Sequence, residues 1–144
     1  MKTENYLKQI ERFNRKIEFK LNELAELREM SIAIKSATSD DIRVKSGSPQ
    51  NVMENTVIAI VEKENELQDL ISDCLSCKSI IISQIEELED VNEYTVLMKR
   101  YVENKSMKDI AESMSYSVKN IERIHKNAME NFEEMFKSEI KKIC

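Results

Sequence analysis

Gly47 and Pro49 are the only glycine and the only proline in 144 residues, and they stand two positions apart. Hairpin turns and sheet edges rely on residues that accept positive φ or fix it, so this chain holds almost none of the chemistry an all-β fold needs. The composition points the other way. With 41% apolar and 34% charged residues, it suits helices that bury one stripe and wet the other. We therefore read the chain as all-α. No apolar run approaches the roughly 20 residues that span a bilayer, and the first residues, MKTENYLKQIERFNRK, lack the apolar stretch of a signal peptide. The expected location is the cytoplasm, with no membrane partner.

Leu7, Ile10, Phe13, Ile17, Leu21, Leu24 and Leu27 recur in steps of three and four, which predicts a helix from about residue 3 to 35. The rhythm stops between Ser36 and Asn51, where the residues turn small and polar and both helix breakers occur, so residues 36–50 read as a linker. Ser48 before Pro49 reads as an N-cap followed by proline in the first turn, starting a second helix over about 49–89. Its apolar seam is Met53, Val57, Ile60, Glu64, Leu67, Ile71, Cys74, Lys78, Ile81, Ile85 and Leu88, a three-four heptad repeat. Helices so long and thin cannot bury a globular core alone. The simplest arrangement is a long antiparallel hairpin, residues 1–89, with Lys8, Arg12, Arg15, Lys16 and Lys20 set against Glu62, Glu66, Asp69 and Asp73. Leu70, Leu75, Ile80 and Ile82 are left outside that seam, which makes a homodimer through the hairpin a candidate assembly.

The net charge of −5 is unevenly spread. Residues 51–90 hold two basic against ten acidic side chains, whereas positions 97–129 hold seven basic against four acidic. In that basic stretch the pattern breaks into short pieces. Tyr94, Leu97, Met98, Tyr101 and Val102 fit one short helix. Ser106 stands three residues before Asp109, a capping-box-like start for a helix that buries Met107, Ile110, Ala111 and Met114. Ser115-Tyr116-Ser117 follows, with Ser117 placed to cap a last helix carrying Val118, Ile121, Ile124, Ala128, Met129, Phe132 and Phe136. Helix, three-residue turn, helix, with Ala111 where two backbones approach, is the spacing of a helix-turn-helix over residues 90–144.

With Ile121, Ile124 and Ala128 turned inward, the outer face of the last helix presents Lys119, Asn120, Glu122, Arg123 and Lys126. Asn pairs with adenine, Arg with guanine and Lys with phosphate, and in this motif the start of the second helix enters the major groove. Ser106, Lys108 and Ser117 lie at helix N-termini, which also suit phosphates. Catalysis has no support: a Gly-rich phosphate loop, clustered histidines and a nucleophile beside a base are all missing from the sequence. His125, the single histidine, reads as an exposed or edge residue and not a ligand. Cys74 and Cys77 form a C-x-x-C inside a helical pattern without a second Cys/His pair, and Cys144 is isolated, so all three read as reduced and structural, with no metal or cofactor expected.

The stretch 94–132, YTVLMKRYVENKSMKDIAESMSYSVKNIERIHKNAMENF, resembles region four of bacterial primary-type sigma factors through Leu97, Arg100-Tyr101, Ser106, Asp109-Ile110-Ala111, Met114, Ser117, Ile121, Arg123 and Ala128-Met129. The whole chain is similar to small phage and prophage transcriptional regulators of the ArpU-like and RinA-like group. The resemblance implies sequence-specific binding of double-stranded DNA and control of phage or prophage transcription in a bacterial host cell, without catalysis. It implies that Ser117, Lys119, Asn120, Arg123 and Lys126 face the DNA, with Arg100, Lys105 and Lys108 near its backbone. Ser115 stands where that family usually has glycine, so the turn must accept a strained φ, at about 1 kcal/mol, or take another form. The other sigma regions are missing, so the chain either recruits RNA polymerase or binds as a separate regulator. The competing reading is a DNA-packaging or assembly adaptor resembling a small terminase subunit, or a coiled-coil interaction protein.

Overall fold

The computed structural model describes residues 2–40 and 49–143, with side chains described over 2–36 and 51–142. The elements are α1 (Lys2–Leu7), α2 (Gln9–Asp40), α3 (Pro49–Ile85), α4 (Val91–Leu97), a π-helical turn (Met98–Val102), α5 (Met107–Met114), α6 (Val118–Met135) and α7 (Lys137–Ile143). The protein is all-α, and the described residues contain no strand. None of these helices is long and apolar enough to cross a membrane.

The first predicted helix is two helices. Around Lys8 the backbone bonds Lys8 N–H to Glu4 O and Arg12 N–H to Lys8 O persist, but side chains capture the carbonyls between them. Arg12 donates to Asn5 O at 2.8 Å and the Gln9 amide to Tyr6 O at 2.8 Å. At the other end α2 runs on to Asp40, so the helix takes in residues 36–40 that sequence assigned to the linker. Residues 41–48, and with them the proposed cap at Ser48, lie outside the described residues. α3 begins at Pro49 as proline geometry favours, and ends at Ile85, short of 89, where Leu88 N–H turns in to bond Ile85 O at 3.0 Å.

Contacts divide the chain into two units, Met1–Asn14 with Cys74–Cys144, and Arg15–Asp73. This division differs from a boundary at residues 89 and 90. In the first unit, Tyr6, Leu7 and Ile10 share one core with Ile81, Ile85, Leu88, Leu97, Tyr101 and, from α6 and α7, Ala128, Met129, Phe132 and Ile140. Tyr6 anchors it: the ring lies 6.0 Å from Phe132, and the hydroxyl donates to Gln84 Oε1 at 2.7 Å across 78 residues. A second cluster, Val96, Ile110, Ala111, Ile121 and Ile124, sits between α4, α5 and α6, with Met107 and Met114 packed on it. Cys74 is buried and Cys77 half-buried, both as free thiols, with Sγ atoms 3.8 Å from Asn14 Oδ1 and Gln9 Oε1. Burial pushes the Cys77 thiol up from its ordinary pKa.

The second unit is a stretch of α2 beside a stretch of α3. Lys20 meets Glu66 at 2.8 Å, Glu23 meets Lys63 at 2.9 Å and Arg28 meets Glu64 at 3.1 Å. Of the cross-helix pairs expected from the sequence, Lys20 with Glu66 forms, whereas Lys8 turns to Glu4 on its own helix at 3.0 Å and Arg12 to the Asn5 carbonyl. The seam on α3 differs in part. Met53, Ile60, Leu67, Cys74, Ile81, Ile85 and Leu88 are covered as expected, but Thr56 and Leu70 take the places expected of Val57 and Ile71, while Lys63 and Glu64, and Cys77 and Lys78, are half-buried alike. Thr56 is 6% exposed, its hydroxyl satisfied by Val52 O at 2.7 Å, while Val57 stays 47% exposed. A threonine that bonds its own backbone can be buried at no cost in unpaired polar groups.

Candidate nucleic-acid interface

Two short helices and the turn between them position the predicted site. α5 starts at Ser106, whose extended backbone (φ −73°, ψ 159°) lets its hydroxyl accept from Asp109 N–H at 3.1 Å. Apolar residues at Ile110 and Ala111 turn one side of α5 into the core, leaving Lys108 exposed on the other. The helix closes on Ser115 in the left-handed region (φ 58°, ψ 38°), where the N–H of Tyr116 reaches Ala111 O at 3.0 Å. This is the strained φ expected of a serine in place of glycine. Ser117 then caps α6, accepting from Asn120 N–H at 3.1 Å. The N-terminal charge of α6 is thus held by a neutral hydroxyl, and no acidic side chain sits in its first turn.

α6 has an apolar side of Ile121, Ile124, Ala128, Met129 and Phe132, all buried. On the opposite side Lys119, Arg123 and Lys126 are exposed and recur every three or four residues, which lines them into one ridge. Asn120 adjoins it, and its Oδ1 accepts from Arg123 Nε at 3.2 Å and from a terminal guanidinium nitrogen at 2.9 Å. Asn120 and Arg123 therefore hold each other, through an Asn-Arg spacing of three that is visible in the sequence. Among the described residues no hydrogen bond or ion pair engages Lys108, Lys119 or Lys126. Val118, expected inside, is 40% exposed at the head of the helix.

Arg100 and Lys105 belong to a separate local arrangement. The π-helical turn, closed by Glu103 N–H to Met98 O at 3.0 Å, was not anticipated from sequence. Arg100 is half-buried there, its guanidinium 6.0 Å above the Tyr101 ring and donating to Lys105 O at 3.2 Å. The Lys105 ammonium lies 3.7 Å from Glu103. The turn also brings Tyr101 against α6, where its hydroxyl and His125 Nε2 share a hydrogen bond of 2.7 Å and the two rings stack at 5.7 Å. His125 is thus a half-buried residue at the edge of the α6 scaffold, tied to it by Tyr101, and not one of the fully exposed side chains of the helix. Burial first, then the Arg100 charge, holds it below its ordinary pKa of 6.5, and burial pushes Tyr101 up to about 12.

No protein-family model, curated protein or solved structure matches this chain. Among the described residues no group of three His, Cys, Asp or Glu side chains is arranged to hold a metal ion. Beyond the ridge the second half of α6 turns acidic through Glu130, Glu133 and Glu134, close to Glu93, which accepts from Asn131 at 2.6 Å. One helix therefore carries a basic first half and an acidic second half.

Proposed function

We propose that this protein is a sequence-specific regulator of phage or prophage transcription that binds double-stranded DNA, with α5, its turn and α6 acting as a helix-turn-helix of the sigma region-four kind beside a helical hairpin built from α2 and α3. The observation that carries this reading is the exposed ridge of Lys119, Asn120, Arg123 and Lys126 on the first half of α6, rigidly backed by Ile121 and Ile124. A ridge on the N-terminal half of a second helix fits the major groove, with Arg123 and Asn120 reaching base edges and Lys119 and Lys126 the phosphates. The capped starts of α5 and α6, with Ser106, Lys108 and Ser117, suit the flanking phosphates. The acidic second half of α6 favours a single orientation, because it is repelled from the same backbone. Arg100 and Lys105, tied into the loop before α5, support this frame from its edge.

The test is a fluorescence-anisotropy titration of the full chain against fragments from its own genomic neighbourhood, with random competitor DNA, at two salt concentrations. Salt-sensitive binding that prefers one fragment by about 10³ or more is the expected result. Salt-sensitive binding without preference would favour a packaging or assembly adaptor, and no binding at all would overturn DNA recognition and direct the search to RNA polymerase as a protein partner.

A further inference from the structure

The Arg15–Asp73 unit has two unlike faces. Leu21, Ala25, Arg28 and Ile32 follow one another at heptad steps on α2, and Val57, Val61, Glu64, Gln68 and Ile71 do so on α3. The 3.1 Å ion pair between Arg28 and Glu64 joins these rows, so both lie on the same face. The linked pairs of Lys20, Glu23, Lys63 and Glu66 occupy the other side of the helix contact, where Glu23 and Glu66 are both held below the ordinary carboxylate range by their lysines. Leu21, Ile32, Val57, Val61 and Ile71 are 51%, 65%, 47%, 49% and 39% exposed. A two-helix layer has one interior line of contact, and here the row left outside is as apolar as the row within.

We infer that this face is the docking surface for a second copy of the chain, pairing two such layers into a four-helix arrangement. This inference does not depend on DNA binding. Three observations select a second copy as the occupant. The five side chains leave on the order of 400 Å² of apolar surface per copy, within the roughly 300–600 Å² of a monomer's largest patch, which often serves a partner. Two such patches with their polar borders approach the roughly 1,200 Å² of a stable interface. Arg28 and Glu64, each about half exposed, lie in the middle of the face, with Glu18, Lys35 and Glu54 on the same heptad rows towards its ends, so a two-fold partner offers carboxylates to Arg28 and Lys35 and cations to Glu64 and Glu54, a self-complementary pattern. The rows extend about 17 Å along α2 and about 21 Å along α3, three to four helical turns over which side chains of two layers can interdigitate.

Sedimentation velocity on the full chain, from roughly 1 to 200 µM, tests the assignment, with a species of twice 16.9 kDa expected. Val61→Glu and Leu21→Glu place a carboxylate in the face at exposed positions and are expected to weaken self-association by about 30-fold or more, with circular dichroism unchanged. Phe19→Glu, on the opposite side of α2 beside Lys20 and Glu66 and 68% exposed, is expected to leave association intact. Should Val61→Glu melt early, Val57→Glu repeats the test one turn away. A monomer at every concentration, or a dimer that withstands the face variants or weakens equally with Phe19→Glu, would overturn the proposal.

Discussion

Ser115→Gly is expected to make the protein more stable although it touches no neighbour. At φ 58° and ψ 38° an L-residue costs roughly 1 to 2 kcal/mol, because Cβ crowds the following carbonyl oxygen. The serine hydroxyl makes no hydrogen bond among the described residues, so nothing is lost with the side chain. The stabilising bonds are backbone ones, Ser115 N–H to Glu112 O at 3.3 Å and Tyr116 N–H to Ala111 O at 3.0 Å, and glycine keeps both. Against the relieved strain stands the larger freedom of glycine in the unfolded chain, about 0.5 to 1 kcal/mol. The difference is a gain of about 0.5 to 1 kcal/mol, or about 2 to 3 °C in Tm for a chain of this size. Thermal and urea melts followed by circular dichroism measure it. Asn104, the other non-glycine residue at positive φ (57°) among the described residues, provides the internal control, since asparagine tolerates that region and Asn104→Gly should gain less. A Tm for Ser115→Gly at or below that of the parent would refute the claim that this turn stores strain.

On the DNA side, Arg123→Ala should weaken binding to the preferred fragment by about 1 to 3 kcal/mol and relax base preference, while Lys108→Ala should weaken all fragments alike and reduce the salt slope by about 1; equal effects of both variants on specific and random DNA would remove Arg123 from base readout. Tyr6→Phe leaves Gln84, which is 8% exposed, with a buried acceptor lacking its donor, and should cost about 1 to 3 kcal/mol in a urea melt, whereas an unchanged midpoint would show that the bond is dispensable. The pH dependence follows from His125, whose folded-state pKa lies below its ordinary 6.5. The contribution of the neutral imidazole is complete above 6.5; as pH falls through 6.5 the unfolded chain takes up this proton first, so that stability is lost from there down to the folded-state value. His125→Gln should flatten the stability profile just below pH 6.5, while the carboxylates held low, Glu4, Glu23 and Glu66, act only below their ordinary 4.5. An unaltered slope in the variant would assign the pH dependence elsewhere.

What could be read from the sequence was local. The caps at Ser106 and Ser117 depend on a hydroxyl and an N–H three residues away, and the turn at Ser115 on one φ, so short stretches specify them. The buried and exposed sides of α6 follow from a 3.6 period over one helix. The seam of α3 could not be read so easily, because the helix carries two apolar rows, and the choice between Thr56 and Val57 is made by what the partner helix offers and by a bond to Val52 O. The π-helical turn was hidden for a similar reason. It inserts one residue so that Tyr101 reaches both the Tyr6 core and His125, and neither neighbour is visible from the local pattern. The packing of Tyr6, Leu7 and Ile10 onto α6 and α7 is wholly a matter of distant contacts.

That last packing fixes an order of events during synthesis. Tyr6, Leu7 and Ile10 leave the ribosome well before residues that bury them, Ala128 through Ile140, which follow more than a hundred positions later. At about 5 to 20 residues per second the wait is on the order of ten seconds, long beside the time a helix needs to form. The Arg15–Asp73 stretch can complete its own pairing within that interval, since all its partners are already made. The interrupted unit closes afterwards, once the segment inserted in its sequence has already paired. A nascent chain halted before α6 would leave the apolar side of α1 without the α6 and α7 part of its cover, a signal for the chaperones and proteases that survey unfinished proteins.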